Sequence, residues 1–346
     1  MMTQNTSSIK KFLDKQGVTL SAKEYFITAL SYMALGLFSS LIIGLIVKTI
    51  GQEIGFQPLI EMGSFAMEKK VWGGAIGVAI AYGLKAPPLV VFAALFSGAF
   101  SAEIGGGPAG SYIAALLSIE IGKLVSKQTR IDIILTPFIT IMVGYLVGVL
   151  ISPSVNAFML AFGDIIEWAT NQRPFTMGIL VAVLMGWALT APISSLAVAL
   201  MLDLSGIAAG AATVGCAAQM IGFATMSYRD NGIGGWIAQG IGTSMLQVAN
   251  VIRKPLLIIP PTVAGAVLAP FASVWLKMVN NAPGGGMGTS GFVGQIMTFQ
   301  QMGFSWEIFW AILALHIVGP LVITLLLSEW FRKKGWIQPG DLKIEY

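Results

Sequence analysis

The chain has 346 residues, 55% of them hydrophobic and only 10% charged, with a formal net charge of +4 and a mean hydropathy of +0.80. A soluble domain carries roughly 25% charged residues, so this balance excludes an ordinary soluble protein and predicts an integral membrane one. One cysteine, Cys216, and one histidine, His316, exclude an internal disulfide and any metal site built from several of either residue.

Residues 1–23 are polar and carry Lys10, Lys11, Lys15 and Lys23, which predicts an amphipathic arm. No cleavable signal peptide is expected, because the apolar run that follows is too long for one. Tyr25 to Val47 can span a bilayer core of about 30 Å, and 51–70 is a mixed connection. The apolar block 71–100 is interrupted at Lys85-Ala-Pro-Pro, which predicts two short spans or a re-entrant hairpin. A glycine hinge, Glu103-Ile-Gly-Gly-Gly-Pro, precedes a span over 111–125 that carries Glu120 and ends at Lys123, Lys127 and Arg130. A further span covers 131–151, and the acidic-sided stretch 156–169 (Asp164, Glu167) reads as an interfacial helix.

The second interrupted block, 175–202, contains Trp187-Ala-Leu-Thr-Ala-Pro-Ile-Ser-Ser. After it come a glycine- and alanine-rich span over 206–226 and a short polar span over 232–248, ended by Asn250, Arg253 and Lys254. Residues 256–276 open on Ile259-Pro260-Pro261. A second glycine hinge over 280–291 leads to a segment with Gln295, Gln300 and Gln301, and a last span over 308–327 is closed by Arg332, Lys333 and Lys334.

These elements predict an all-α polytopic membrane protein with about 8–10 transmembrane helices, some broken or re-entrant. Basic residues sit at the ends of apolar runs, which places both termini on the cytoplasmic side and argues against a nucleic-acid partner. The halves echo each other: 71–152 and 175–277 each hold an Ala-Pro interruption and a cation leading into a proline-bearing span. Residues 278–328 add the second hinge, a re-entrant piece and the last span. Proline removes a backbone donor and opens the helix. Hydrocarbon cannot satisfy the groups so freed, and paired interrupted segments point to a transporter's binding site.

The candidate solute-binding residues follow from those breaks. Lys85 is a cation within a long apolar block, read either as facing a polyhydroxyl or anionic solute or as part of a turn. Glu103 lies in the first hinge, at a cavity or at the interface. Thr190, Ser194 and Ser195 bring hydroxyls to the carbonyls freed by Pro192, unless they bond their own helix. Asn231, Gln239 and Gln247 give a short span an amide-rich face, for a solute or for helix packing. Glu120 and Lys123 read as a helix-end pair. His316 reads as a packing histidine. The glycine hinges lack the Lys-Ser/Thr of a phosphate-binding loop, so no nucleotide or other cofactor is expected.

The stretches Leu189-Thr-Ala-Pro-Ile-Ser-Ser-Leu-Ala-Val-Ala-Leu, Met226-Ser-Tyr-Arg-Asp-Asn-Gly-Ile-Gly-Gly-Trp, Thr243-Ser-Met-Leu-Gln-Val-Ala-Asn and residues 281–295 carry a resemblance. The chain resembles the membrane subunit IIC of the bacterial phosphoenolpyruvate-dependent sugar phosphotransferase system. More narrowly, it is similar to the stand-alone IIC-like branch named for the perfringolysin regulator. The resemblance implies a homodimer in the cytoplasmic membrane that moves a sugar-like or small polar solute inward by alternating access, with separate IIA and IIB subunits supplying phosphate. No attached IIA or IIB region is expected, and the glutamate motif of many sugar IIC proteins is replaced by Thr190-Ala-Pro-Ile-Ser-Ser. A ligand-binding membrane sensor and an ion-coupled carrier using Glu103 or Glu120 stand as alternatives.

Overall fold

The computed structural model describes residues 12–13, 15–19 and 21–344, and the rest of the expected 1–23 arm lies outside the described residues. The described chain is helical, with one isolated β-bridge, Gly206–Asn280. In chain order the helices are α1 (Glu24–Ile54), α2 (Gln57–Ala66), α3 (Lys69–Gly83), α4 (Pro88–Ser101), α5 (Gly107–Val125), α6 (Asp132–Thr170), α7 (Pro174–Thr190) and α8 (Ser195–Met201). They continue with α9 (Gly206–Met226), α10 (Tyr228–Ile237), α11 (Val248–Arg253), α12 (Pro255–Trp275), α13 (Ala282–Met287), α14 (Val293–Met302) and α15 (Trp306–Lys333).

Among the described residues, six stretches are long and apolar enough to cross a membrane: α1, Pro88–Val125, α6, α9, α12 and α15. The remaining apolar segments are shorter or interrupted ones, of which α7 is the most apolar. Helix α6 holds Pro137 and Pro153 inside its 39 residues, about 58 Å at 1.5 Å per residue. The separate interfacial helix expected from 156 is therefore the second part of one long helix. A membrane helix carries a proline where neighbours cover the opened turn, and beside Pro153 the Ser152 hydroxyl lies 3.0 Å from that of Ser101.

The described residues form two compact units, one up to Leu41 with Ser64–Ala157 and the other Ile42–Gly63 with 158–344. In the first, α3 and α4 join through the Lys85-Ala-Pro-Pro break. Lys85 takes a left-handed φ of 53°, the Ala86 amide donates back to the Ala81 carbonyl (2.9 Å), and Pro88 starts α4. The two helices then approach so closely that a Cβ on Gly77 would overlap the Ala94 carbonyl. Small residues permit that approach in lipid. The Ser111 hydroxyl donates to the Gly98 carbonyl (2.9 Å), which ties α5 to α4.

In the second unit α9 is the axis, with 89% of its apolar window buried. Helices α7, α12, α13 and α15 pack around it. Its glycines set the spacing: a Cβ on Gly215 would run into the Ala182 backbone of α7, and one on Gly222 would stand 2.6 Å from Pro261 of α12. The glycine hinge is pinned by Asn280, whose Nδ2 donates to Thr213 Oγ1 (2.8 Å), the Gly294 carbonyl (3.0 Å) and Thr298 Oγ1 (3.0 Å). Gly288 and Gly291 turn the chain between α13 and α14 at φ 55° and 53°.

The polar span expected over 232–248 is not one helix. Gly232 kinks α10 at φ 63°, a π-helical turn follows over Ala238–Gly242, Thr243 is extended, and a 3-10 turn covers Ser244–Gln247. Gly232, Gly234, Gly235, Gly240 and Gly242 leave too few side chains to favour a regular helix over these alternatives.

Candidate functional site

Helix α7 stops at Thr190 because Pro192 follows closely and Ala191 is already extended, with ψ 161°. This leaves Thr190 at an opened helix end, 2% exposed. Its hydroxyl lies 2.9 Å from that of Ser244, the first residue of the 3-10 turn, 3.4 Å from Gln219 Oε1 and 3.3 Å from the Gly186 carbonyl. Behind them, Gln219 Nε2 of α9 donates to Thr262 Oγ1 of α12 (2.9 Å), which also accepts from Trp187 Nε1 (2.9 Å) and donates to the Ile258 carbonyl (2.7 Å). Two interrupted segments and two continuous helices thus meet in one chain of hydrogen bonds. Ser244 and Gln219 are buried, whereas Trp187 is 43% exposed.

Chemically this is a set of groups that both donate and accept, capped by an amphipathic aromatic ring. Hydroxyls and side-chain amides can exchange mutual bonds for bonds to a polyhydroxyl solute. An indole offers a flat apolar face and one donor.

Ser194 and Ser195 serve the backbone beside this cluster. Ser194 Oγ accepts from the Ala197 amide (3.2 Å) as the N-cap of α8. Ser195, 4% exposed, donates to the Gly286 carbonyl of α13 (2.7 Å).

Asn231, Gln239 and Gln247 lie on a second network, which runs to residues 342–344. Gln239 Nε2 donates to Ser227 Oγ (2.7 Å) and to the Gly235 carbonyl (2.9 Å), and its Oε1 accepts from Gln247 Nε2 (2.9 Å). Gln247 Oε1 accepts from Asn250 Nδ2 (2.7 Å). The outer amides of this network hold the backbone of residues 342–344.

Lys85 and Glu103 belong to the other unit. Lys85 is exposed at the α3–α4 turn, and Glu103 is exposed at the kink before α5. Glu120 and Lys123 pair at 2.9 Å, as their spacing implies, and Lys123 Nζ also donates to the Gly17 carbonyl (3.1 Å). His316 is buried, with Nδ1 3.1 Å from Gln295 Nε2.

Two residues of the hydroxyl cluster escape a reading of the breaks alone, Gln219 and Thr262. Gln219 had a signal: it is the one long polar side chain in the apolar α9, and such groups in a membrane segment mark packing or function. Thr262 sits after Pro260-Pro261 and bonds its own helix, a habit that sequence does not distinguish from a site role.

The family model described as "Phosphotransferase system, EIIC" matches residues 27–344. No curated protein and no solved structure matches the chain.

Proposed function

From the premise that the chain belongs to the EIIC family of the phosphotransferase system, and is thus a multi-pass sugar-transport membrane component, we propose that it binds a sugar or sugar-like polyol at the Thr190–Ser244 cluster. It carries the solute across the cytoplasmic membrane by alternating access, with phosphate supplied by separate IIA and IIB subunits. The observation that supports this most is the 2.9 Å contact between the Thr190 and Ser244 hydroxyls at two helix interruptions. Gln219 and Thr262 orient that contact, and Trp187 donates to Thr262.

A hydroxyl-rich solute fits because it replaces like with like. Each bond broken between Thr190, Ser244 and Gln219 is exchanged for one to a sugar hydroxyl, so a buried polar atom need not be left unpaired, which costs about 1–3 kcal/mol. Ser194 and Ser195 act as positioning residues that hold α8 and α13 beside the cluster. Lys85 and Glu103 remain proposals on sequence grounds alone. For ion coupling, Glu103 is exposed and Glu120 is paired with Lys123 through one carboxylate oxygen, its other oxygen being buried without a partner.

Uptake of a labelled hexose and hexitol panel by proteoliposomes, with and without added IIA, IIB and phosphoenolpyruvate, tests the reading. Accumulation of phosphorylated solute only with the added subunits is the expected result. Binding without uptake under every condition would support the sensor instead.

A further inference from the structure

Residues 338–344 lie along a track of side chains that read their backbone. The Leu342 carbonyl accepts from Asn231 Nδ2 (2.8 Å) and Gln247 Nε2 (2.9 Å), and the Lys343 carbonyl from Asn250 Nδ2 (3.0 Å). The Ile344 amide donates to Asn231 Oδ1 (2.9 Å). The amides of Gly340 and Leu342 donate to the two oxygens of Asp230 (3.0 and 3.3 Å). Leu342, fully buried, and Ile337 enter an apolar cluster with Phe223, Met226, Leu257 and Phe331. Lys254 Nζ closes the arrangement on Asp341 Oδ2 at 2.7 Å.

The segment folds into turns, with the Asp341 amide on the Gln338 carbonyl and the Lys343 amide on the Gly340 carbonyl, and it is held as a groove holds a peptide, by main-chain bonds and a pocket for an aliphatic side chain. Here the peptide is residues 338–344 of the same chain. The inner side of the groove is also the wall of the solute cluster, because one 3-10 turn, Ser244–Gln247, carries both contacts. Its first residue meets Thr190, and its last meets the Leu342 carbonyl.

We propose that residues 338–344 are a strap that fixes this turn, so that release of the strap lets Ser244 part from Thr190 and opens the cluster to solute. The consequence for solute rests on the site assigned above, whereas the link between strap and turn is read without solute. A polar network that holds both a mobile element and a site can bias one through the other only if it has two arrangements. The strap supplies them: docked, with its carbonyls on Asn231, Gln247 and Asn250, or undocked, with those amides keeping only their bonds to Ser227, Gln239 and Gln247.

Hydrogen–deuterium exchange on the full-length protein in nanodiscs, wild type against Leu342→Asp, decides the matter. The expected result is exchange faster by about 10-fold or more at 338–344 and also at 239–250, with α9 unchanged. Affinity for a labelled hexose or hexitol that binds the wild type should change by about 10-fold or more in parallel. Loosening of 338–344 with 239–250 still protected overturns the strap and leaves the solute site standing. Wild-type exchange at 338–344 as slow as in α9 also overturns it, because the segment is then part of the core. Should Leu342→Asp fail to fold, Asn231→Ala, which removes two contacts without burying a charge, carries the same comparison. If exchange behaves as expected but Thr190→Val leaves solute binding intact, the strap survives and the assignment of the solute site fails.

Discussion

The hydroxyls of Thr190 and Ser244 meet at 2.9 Å although 54 residues separate them in the chain. Each comes from a segment that has left helical geometry, one at a proline and one at an extended threonine. Thr190→Val keeps the shape and removes the hydroxyl, leaving Ser244 Oγ and Gln219 Oε1 with a lost partner. The expected cost is about 1–3 kcal/mol of stability, read as a lower thermal midpoint in detergent. Adding Ser244→Ala should recover part of it, since an unpaired group then disappears. Solute binding should be lost in both variants. Recovery of binding along with stability would remove the pair from the site.

Ser195 offers a cleaner separation of structure from binding. Its hydroxyl holds the Gly286 carbonyl at 2.7 Å, and its neighbour Ser194 caps α8. The sequence alone suggests both as solute ligands. The geometry predicts that Ser195→Ala costs about 1 kcal/mol of stability, and that Ser194→Ala costs a similar amount through the cap. Exchange should rise at 282–287 in Ser195→Ala. A fall in solute affinity without any change in exchange there would return Ser195 to direct contact.

The helix breaks were legible because proline acts locally: Pro192 ends α7 and Pro87 with Pro88 starts α4 wherever the rest of the chain lies. The amide-rich stretch was legible too, since Asn231, Gln239 and Gln247 stand out in an apolar sequence. What those amides hold was not. Polarity shows that a partner is needed, but not whether the partner is a solute or the backbone of Leu342 and Lys343 more than ninety residues on. A helical face joining Gln239 to Gln247 also hid the extended Thr243 between them, since glycine content weakens a helix without saying where it breaks. The continuity of α6 was not legible, since the acidic side of 156–169 suggested a separate interfacial helix, whereas Pro153 is carried inside one helix over Asp132–Thr170.

Close packing in the second unit gives a sharp prediction at Gly215. A methyl group there would meet the carbonyl oxygen, carbonyl carbon and Cα of Ala182, all backbone, so no rotamer change relieves it. Helix α7 would have to move as a body, taking Trp187 and Thr190 with it. Gly215→Ala is expected to cost about 1–3 kcal/mol or more and to weaken solute binding. Gly234→Ala, where nothing lies within 4 Å, is the control and should leave stability within about 0.5 kcal/mol of wild type. Equal midpoints for the two variants would show that α7 and α9 tolerate a wider spacing than the structure has.

The strap should also respond to acid. Asp341 is 17% exposed. Burial alone would raise the pKa of its carboxyl, but the hydrogen bonds from Lys254 and the Gln338 amide, with the charges of Lys254 and Arg253, hold it below the ordinary 3.8. With the docked pKa lowered, the ionic contribution to docking is complete above the ordinary value and is lost as pH falls through the lowered one. A nitroxide on Lys343→Cys reports the change, because the side chain of Lys343 is exposed and Cys216 is buried. Its spectrum should stay immobile from neutral pH down to about pH 4 and become mobile below that. Asp341→Asn removes the ionic part at every pH, so its label should be more mobile at pH 7 and show a weaker acid response. An acid transition unchanged by Asp341→Asn would show that the Lys254 pair does not hold the strap in place.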